Sequence, residues 1–585
     1  MRKSTVLIFL IPFLLMVYFV YGMIAWNVWV SCTDWKGISP ENTNFVGLSN
    51  YSRAFGDSLF QQSLVNTLLL FLAIPCSVGL GLFLAMLLRQ KVRGARFFTL
   101  IYLTPFAFSL VVTGIVWNWV YGLVGSPNIY PNTVMLSIIL AMMWQFAGYT
   151  MLILLPGMRS IPQKEIDAAK SKGASTLRIY RKIVFPRLKI PILTAVVVLI
   201  IFSLKASFDL VWVLTSGGPG TSSYTVPIDL YREAFQKWNF AYGAAMGNIL
   251  LAIVLCIVLP YVWWSYRKSK KKIVVKKEAS SRRPLRGMRK IGGAFKRVGR
   301  PFLVLRKAFQ KIGKTFQKKV PSWPLKRIAL YLVLILFVVF FLLPIWVAIT
   351  TSLKTEEEIP KSNPLIPSSL TLDGYREALG HLGRPMINSF MFTTGAVVGS
   401  LFLGSILGYI LSKIRFKYDT WVFMIMAVGM FLPFTTIGVP IFLTINNLGL
   451  VGTIPGLILV HTMYGIPICT FIFRNFYAEI PQNVVDKARK KGASDWEIYR
   501  KIILPASGPA IITVVIFQFT SIWNDYFFGL ILGGQATPAT VGLVSLVGGK
   551  LSVLMAGAMI VFLPVLLLYI FLGKYIVRYY MGGEK

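Results

Sequence analysis

IPQKEIDAAKSKGASTLRIYRKIVFP at 161–186 and IPQNVVDKARKKGASDWEIYRKIILP at 480–505 are two copies of one segment. The offset is constant at 319, from Gly173 to Gly492 and from Pro186 to Pro505. A gapless polar repeat that far apart marks two copies of a larger unit. Each copy reads as helix, turn, helix. Ile161-Pro162 and Ile480-Pro481 suit a turn leading into a helix. Residues 164–172 and 483–491 lack breakers. Gly173 and Gly492 fit a left-handed residue that ends the helix. Ser175 and Ser494 can cap a second helix, and Pro186 and Pro505 mark the start of a longer apolar run.

Those apolar runs decide the class. The chain has 585 residues, 56% hydrophobic and 14% charged, with mean hydropathy +0.67. A soluble domain carries roughly 25% charged residues, and a bilayer is crossed by about 20 apolar ones. Apolar runs lie near 5–30, 66–88, 98–121, 132–156, 190–215 and 242–266, then near 328–352, 388–412, 420–445, 452–474, 507–532 and 552–577. The expected fold is therefore all-α and polytopic, in two six-helix halves. Arg2 and Lys3 precede an apolar run that continues to Trp26 and Trp29. This exceeds a signal-peptide core and reads as a retained first span with an aromatic belt.

Arg89, Lys91, Arg93 and Arg96 follow span 2, and Lys413, Arg415 and Lys417 follow span 8. With the two basic repeats they fall on the side of Arg2 and Lys3, which is cytoplasmic by the positive-inside rule. The opposite loops hold Asp34, Glu41, Asp57 and Glu356-Glu357-Glu358. Both termini are expected in the cytoplasm. Cys32, Cys76, Cys256 and Cys469 lack C-x-x-C spacing, and His381 and His461 lack ligand-spaced partners. A zinc or disulfide framework is not expected.

The expected domains are a first half over 1–266, a basic linker over 267–327 and a second half over 328–585. The linker carries 23 Lys or Arg against one acid, Glu278. Nucleic-acid binding fits poorly beside twelve spans. Phe295, Val298, Phe302, Leu305, Phe309, Ile312 and Phe316 fall on one helical face. Such a helix would lie on anionic lipid at the cytoplasmic surface; a coiled-coil seam and a disordered tether are the other readings.

The repeat resembles the EAA loop of permease subunits of binding-protein-dependent ABC importers: E-A-A, three residues, G, nine residues, I-x-L-P. The first copy has Asp167-Ala168-Ala169, Gly173-Ala174, Ile183 and Phe185-Pro186. The second has Asp486-Lys487-Ala488, Gly492-Ala493, Ile502 and Leu504-Pro505. Asp replaces Glu in both copies, Lys487 the middle Ala, and Phe185 the Leu. Phe45-Val46-Gly47-Leu48, Asn50-Tyr51, Asn66-Thr67, Trp212-Val213-Leu214-Thr215, Gly217-Gly218-Pro219 and Tyr242-Gly243-Ala244-Ala245 resemble the first permease of carbohydrate importers of the maltose and glycerol-phosphate type. Thr351-Ser352-Leu353-Lys354, Asn388-Ser389 and Trp523-Asn524-Asp525 resemble the second.

The resemblance implies a type I ABC importer transmembrane fold in the cell membrane of a bacterium or archaeon. Its loops would couple the chain to two ABC ATPase subunits, and an extracytoplasmic solute-binding protein would deliver a sugar or related polyol. The chain would bind no cofactor; ATP and Mg would be used by the partner ATPases. Consistently, a phosphate-binding loop needs G-x-x-x-x-G-K-[ST], and Gly313-Lys314-Thr315 is preceded by Ala308 where the first Gly belongs.

Polar groups inside spans are candidates for the substrate path. They are Asn118, Gln145, Tyr149, Lys205, Asp209, Trp523, Asn524 and Asp525, with Trp144 a further stacking face. Lys205 and Asp209, four apart, can pair on one helix face. The competing account of each is interhelical packing, worth about 0.6 kcal/mol on average. An ATP-independent secondary transporter is the alternative function and leaves the repeated loops without a purpose. A membrane enzyme lacks a paired carboxylate, His or Cys cluster at a span end.

Overall fold

The computed structural model describes residues 11–38, 43–90, 92–280, 325–367, 370–414, 416 and 418–581. The expected linker helix over 295–316 lies outside them. The described residues of 1–262 and 338–585 form one compact unit, and those of 263–337 a second. The helix of the sixth span runs on as Phe240–Ser280, past the linker boundary expected at 267, and Leu325–Ser352 carries the seventh.

Ten described helices are long and apolar enough to cross a membrane, and two bent pairs raise the count to as many as twelve. The first half has Ile11–Ser31 (span 1), Ser58–Arg89 (span 2), the pair Ala95–Ala107 and Leu110–Leu123 (span 3), Val134–Arg159 (span 4), Tyr180–Thr215 (span 5) and Phe240–Tyr261 (span 6). The second has Arg327–Ser352 (span 7), Asp373–Lys413 (span 8), the pair Trp421–Gly429 and Phe434–Asn447 (span 9), Ile454–Glu479 (span 10), Asp495–Trp523 (span 11) and Leu551–Leu572 (span 12). Spans 4 and 10 are the most buried, at 78% and 72% of their apolar windows, and form the core of the two halves. Gly404 of span 8 permits close packing on span 10, since a Cβ there would sit 2.4 Å from the Cβ of Cys469.

Three runs expected as continuous helices are interrupted. Span 3 bends by 99° and span 9 by 93°. Pro105 and Pro433 stand at the breaks, where a proline withholds its N–H from the helix ladder. The run expected to 532 stops at Trp523, because Asp525 caps a separate helix, Phe527–Leu532, through the Phe528 and Gly529 N–H groups.

The freed carbonyls at the two long breaks are met from the opposite half. Asn524 Nδ2 of the second half donates to Ala107 O at 3.5 Å, and Asn27 Nδ2 of the first donates to Thr436 O at 3.2 Å. In an apolar medium these partners are obligatory, as each unmet backbone group costs several kcal/mol. The first spans are also exchanged. In span 1, Tyr21 OH donates to Ile425 O, and Phe19 O accepts from Tyr464 OH. In span 7, Phe341 O accepts from Trp144 Nε1 of the first half.

Away from the repeated loops, Asn66-Thr67 and Asn388-Ser389 act alike. Asn66 Nδ2 donates to the Thr221 and Tyr224 carbonyls, and Thr67 Oγ1 accepts from Val226 N. Asn388 Nδ2 donates to Thr537 O, and Ser389 Oγ accepts from Ala539 N. Each pair fixes the start of the short helix that follows span 5 or the span 11 region.

Candidate coupling loops and the polar contacts between the halves

Each repeat folds into a nine-residue helix, Gln163–Ser171 or Gln482–Lys490. Gly173 (φ +75°) and Gly492 (φ +86°) end these helices in the left-handed region. A Cβ at either glycine would meet nothing within 4 Å, so the backbone angle alone demands glycine. The turn closes when Ala174 N donates to Ala169 O at 3.0 Å and Ala493 N to Ala488 O at 3.1 Å. Ile166 and Val485 point inward and are buried. Asp167 with Ala168, and Asp486 with Lys487, are exposed in the same register. Gln163 and Gln482 each donate to the Asp four residues on, at 2.9 and 3.3 Å. A cation from the neighbouring span fixes each loop: Arg89 donates to Ile161 O at 3.1 Å and Lys413 to Ile480 O at 2.5 Å. Pro186 lies in the first turn of the helix Phe185–Thr215, and Pro505 opens a short 3₁₀ turn ahead of Gly508–Trp523.

The loops differ in their fastenings. The first uses Glu165 and Arg187, 2.5 Å apart and both more than 40% exposed. The second uses Arg489, whose Nε and Nη2 both donate to Asp495 Oδ1, at 3.0 and 2.7 Å, with the Asp495 side chain only 12% exposed. Burial opposes the charge on Arg489, but the hydrogen bonds to Asp495 outweigh it and hold the guanidinium above its ordinary pKa. Ser494 and Glu497 form a reciprocal capping box. The first copy has Arg178 in place of Glu497, and Ser175 Oγ accepts from Arg178 N at 3.4 Å. Beneath the second loop, Ser405 Oγ bonds Tyr477 OH at 2.8 Å and Tyr499 OH at 2.9 Å, and Ser507 Oγ donates to Tyr477 OH at 3.2 Å. Met158 and Leu188 stand 319 positions before Tyr477 and Ser507, so the first loop rests on apolar packing there. The second helix also borders an open groove of about 490 Å³ lined by Lys487, Ala488, Lys490, Lys491 and Ile502.

The structure divides the expected path residues into two groups. Lys205 Nζ lies 4.0 Å from Asp209 Oδ2 and 3.6 Å from Asp525 Oδ1. These charges gather between the halves. His461, which the sequence leaves without a partner, joins them at 3.9 Å from Asp525 Oδ2, stacked on Phe392. Both Asp209 carboxylate oxygens are buried and accept no hydrogen bond among the described residues. The remaining residues are tied into the packing. Gln145 Nε2 donates to Phe108 O at the span 3 break at 2.9 Å, and Asn524 to Ala107 O. Tyr149 stacks on Phe106 at 4.4 Å, and Trp523 Nε1 donates to Val561 O at 3.0 Å. Asn118 accepts from Asn128 and borders a small cavity of about 120 Å³ with Trp119, Val213, Leu551 and Met555. Asn27 and His461 are among the buried polar residues that sequence reasoning passed over. An Asn within the apolar run of span 1 is a visible signal.

On the side away from the loops, Tyr242 OH donates to Asp57 Oδ2 at 2.9 Å, and Arg53 covers the Tyr242 ring at 4.0 Å. Asp229 is buried nearby, and its Oδ2 has no hydrogen-bond partner among the described residues. Its carboxyl is pushed up to about 7 by burial first, then by Asp57 and Glu233.

Two stretches, 77–267 and 400–580, match the family of binding-protein-dependent transport system inner membrane components. Two probable ABC transporter permease proteins of Pyrococcus horikoshii are each 47% identical to this chain. One aligns over 290 residues, 46% of this chain and 99% of its own length; the other aligns over 264 residues, 44% and 96%. A xylose/arabinose import permease protein of Haloferax volcanii is 34% identical over 275 residues, 44% of this chain and 86% of its own.

Proposed function

The chain belongs to the binding-protein-dependent transport system inner membrane component family, and from that premise we propose how this ABC importer permease is driven and loaded. It joins two permease halves in one polypeptide. Its two exposed loop helices dock on two separate ATPase subunits at the cytoplasmic face, where both termini also lie. ATP and Mg are used by those subunits and not by this chain. Closure of the ATPases pushes on the loops and rocks the halves, so that the path opens alternately to either side. An extracytoplasmic binding protein supplies the solute, a sugar or related polyol; the likeness to a xylose/arabinose import permease supports that class. The basic segment 267–327 lies along anionic lipid. The path runs past the Lys205, Asp209 and Asp525 cluster.

The observation that carries this reading is the loop pair. Two helices of equal length end at left-handed glycines and expose the same register, with Ile166 and Val485 as buried anchors. A surface helix fixed to two spans by a rigid turn transmits force; a helix serving only packing would be buried. Site-directed cross-linking tests it. In a complex with candidate ATPase subunits, Ala168→Cys and Lys487→Cys should both cross-link to an ATPase, and Thr221→Cys on the opposite side should not. Sugar uptake that persists without any ATPase, with no cross-link at either loop, would instead support a secondary transporter.

A further inference from the structure

Lys205 is the cation of the intramembrane cluster, and its bonding is incomplete. It sits ten residues before Thr215, the end of span 5, or about 15 Å along the helix, which is half the depth of a hydrocarbon core. Its contacts at 3.6 and 4.0 Å exceed the 2.7–2.9 Å of a charge-assisted hydrogen bond. Its side chain is 28% exposed, so it is not enclosed by the packing around it. Asp525 belongs to the other half and holds its place independently, by capping Phe527–Leu532. The pair therefore ties the halves together by charge, at a distance that leaves room for another partner. Lys205 is matched by Asp525, so the pair offers no surplus cation to an anionic solute.

We propose that Lys205 senses the solute: in the empty path it holds the halves together through Asp525, and a neutral polyhydroxylated solute breaks that tie. This rests on the importer reading above. Each hydroxyl both donates and accepts. One hydroxyl oxygen takes the Lys205 ammonium, and a neighbouring hydroxyl proton takes the freed Asp525 carboxylate. Separating the charges then leaves neither unpaired. Without a solute the same separation leaves Lys205 only Asp209 at 4.0 Å and Asp525 only His461 at 3.9 Å as side-chain partners, neither within hydrogen-bond distance, so the empty transporter stays closed.

The test measures the tie in the full chain alone, in lipid nanodiscs. Spin labels at Thr221→Cys and Val547→Cys, in a background with the native cysteines replaced by Ser, report the separation of the halves. The background protein should give one narrow distance distribution. K205M and D525N should each add a longer-distance population, and K205R should not. Asn is itself a good helix cap, so D525N removes the charge without removing the cap. Distributions unchanged in K205M and D525N would overturn the proposal, as would the same shift in K205R, which would make packing rather than charge responsible. Failure of the importer reading would show elsewhere, as absence of cross-links to an ATPase, and would leave these distances as they are.

Discussion

The two halves share a backbone plan and differ in the side chains that hold it. Each has a span broken at a proline, a loop helix ended by a left-handed glycine and a loop carbonyl held by a cation from the second or eighth span. The polar contacts around these features are unequal. Asn27 at one break is fully buried and donates to Ala244 O, Asn248 Oδ1 and Thr436 O; Asn524 at the other makes one contact of 3.5 Å. The second loop rests on a buried hydroxyl network and a half-sheltered ion pair, and the first on apolar side chains and an exposed pair. The common geometry fits a common mechanical task, while each half is stabilised in its own way.

Substitutions at matched positions can break that comparison. The largest difference is expected at the breaks. Asn27→Ala should cost about 2 kcal/mol, since it strands buried acceptors, and Asn524→Ala about 0.5 kcal/mol. Thermal unfolding in detergent, followed by tryptophan fluorescence, measures both; equal losses would mean the breaks are held alike. Next come the loops. Arg489→Ala should cost about 1 kcal/mol and Arg187→Ala a few tenths, as exposed pairs contribute little. Hydrogen exchange should therefore rise in the second loop more than in the first. A pH-dependent difference concerns Asp229, whose counterpart region in the second half, Ala539–Val544, holds no acid. An unfolded Asp titrates near 3.8 and native Asp229 at about 7, so the native state holds the extra proton between these values. That contribution is complete below about 4 and is lost as pH rises to about 7. Asp229→Asn should flatten the decline of stability across that window.

Much of this plan is legible in the chain. The repeat locates both loops, and their positive-φ glycines sit where a left-handed end is expected. Lys205 and Asp209 share a helix face as four-residue spacing requires. The breaks are less visible, because Pro105 and Pro433 lie in runs whose composition alone permits a continuous helix. Partners across the halves are not visible at all. Periodicity places Gln145 and Asn524 inside spans, but only the fold shows that they face carbonyls freed at the span 3 break. His461 has no neighbour in sequence and gains Asp525 through packing of span 10 against the region after span 11.

The central claim is that both loops, despite their unequal fastenings, transmit ATP-driven motion. It is tested most directly by ATP-dependent sugar uptake in proteoliposomes holding the chain, candidate ATPase subunits and a candidate binding protein. Gly173→Trp and Gly492→Trp force a bulky side chain onto a left-handed backbone and tilt the loop helix without touching the spans. Each single variant should lower uptake, and the double variant should abolish it while membrane insertion and thermal stability of the spans persist. Uptake at the original rate in the double variant would contradict the account.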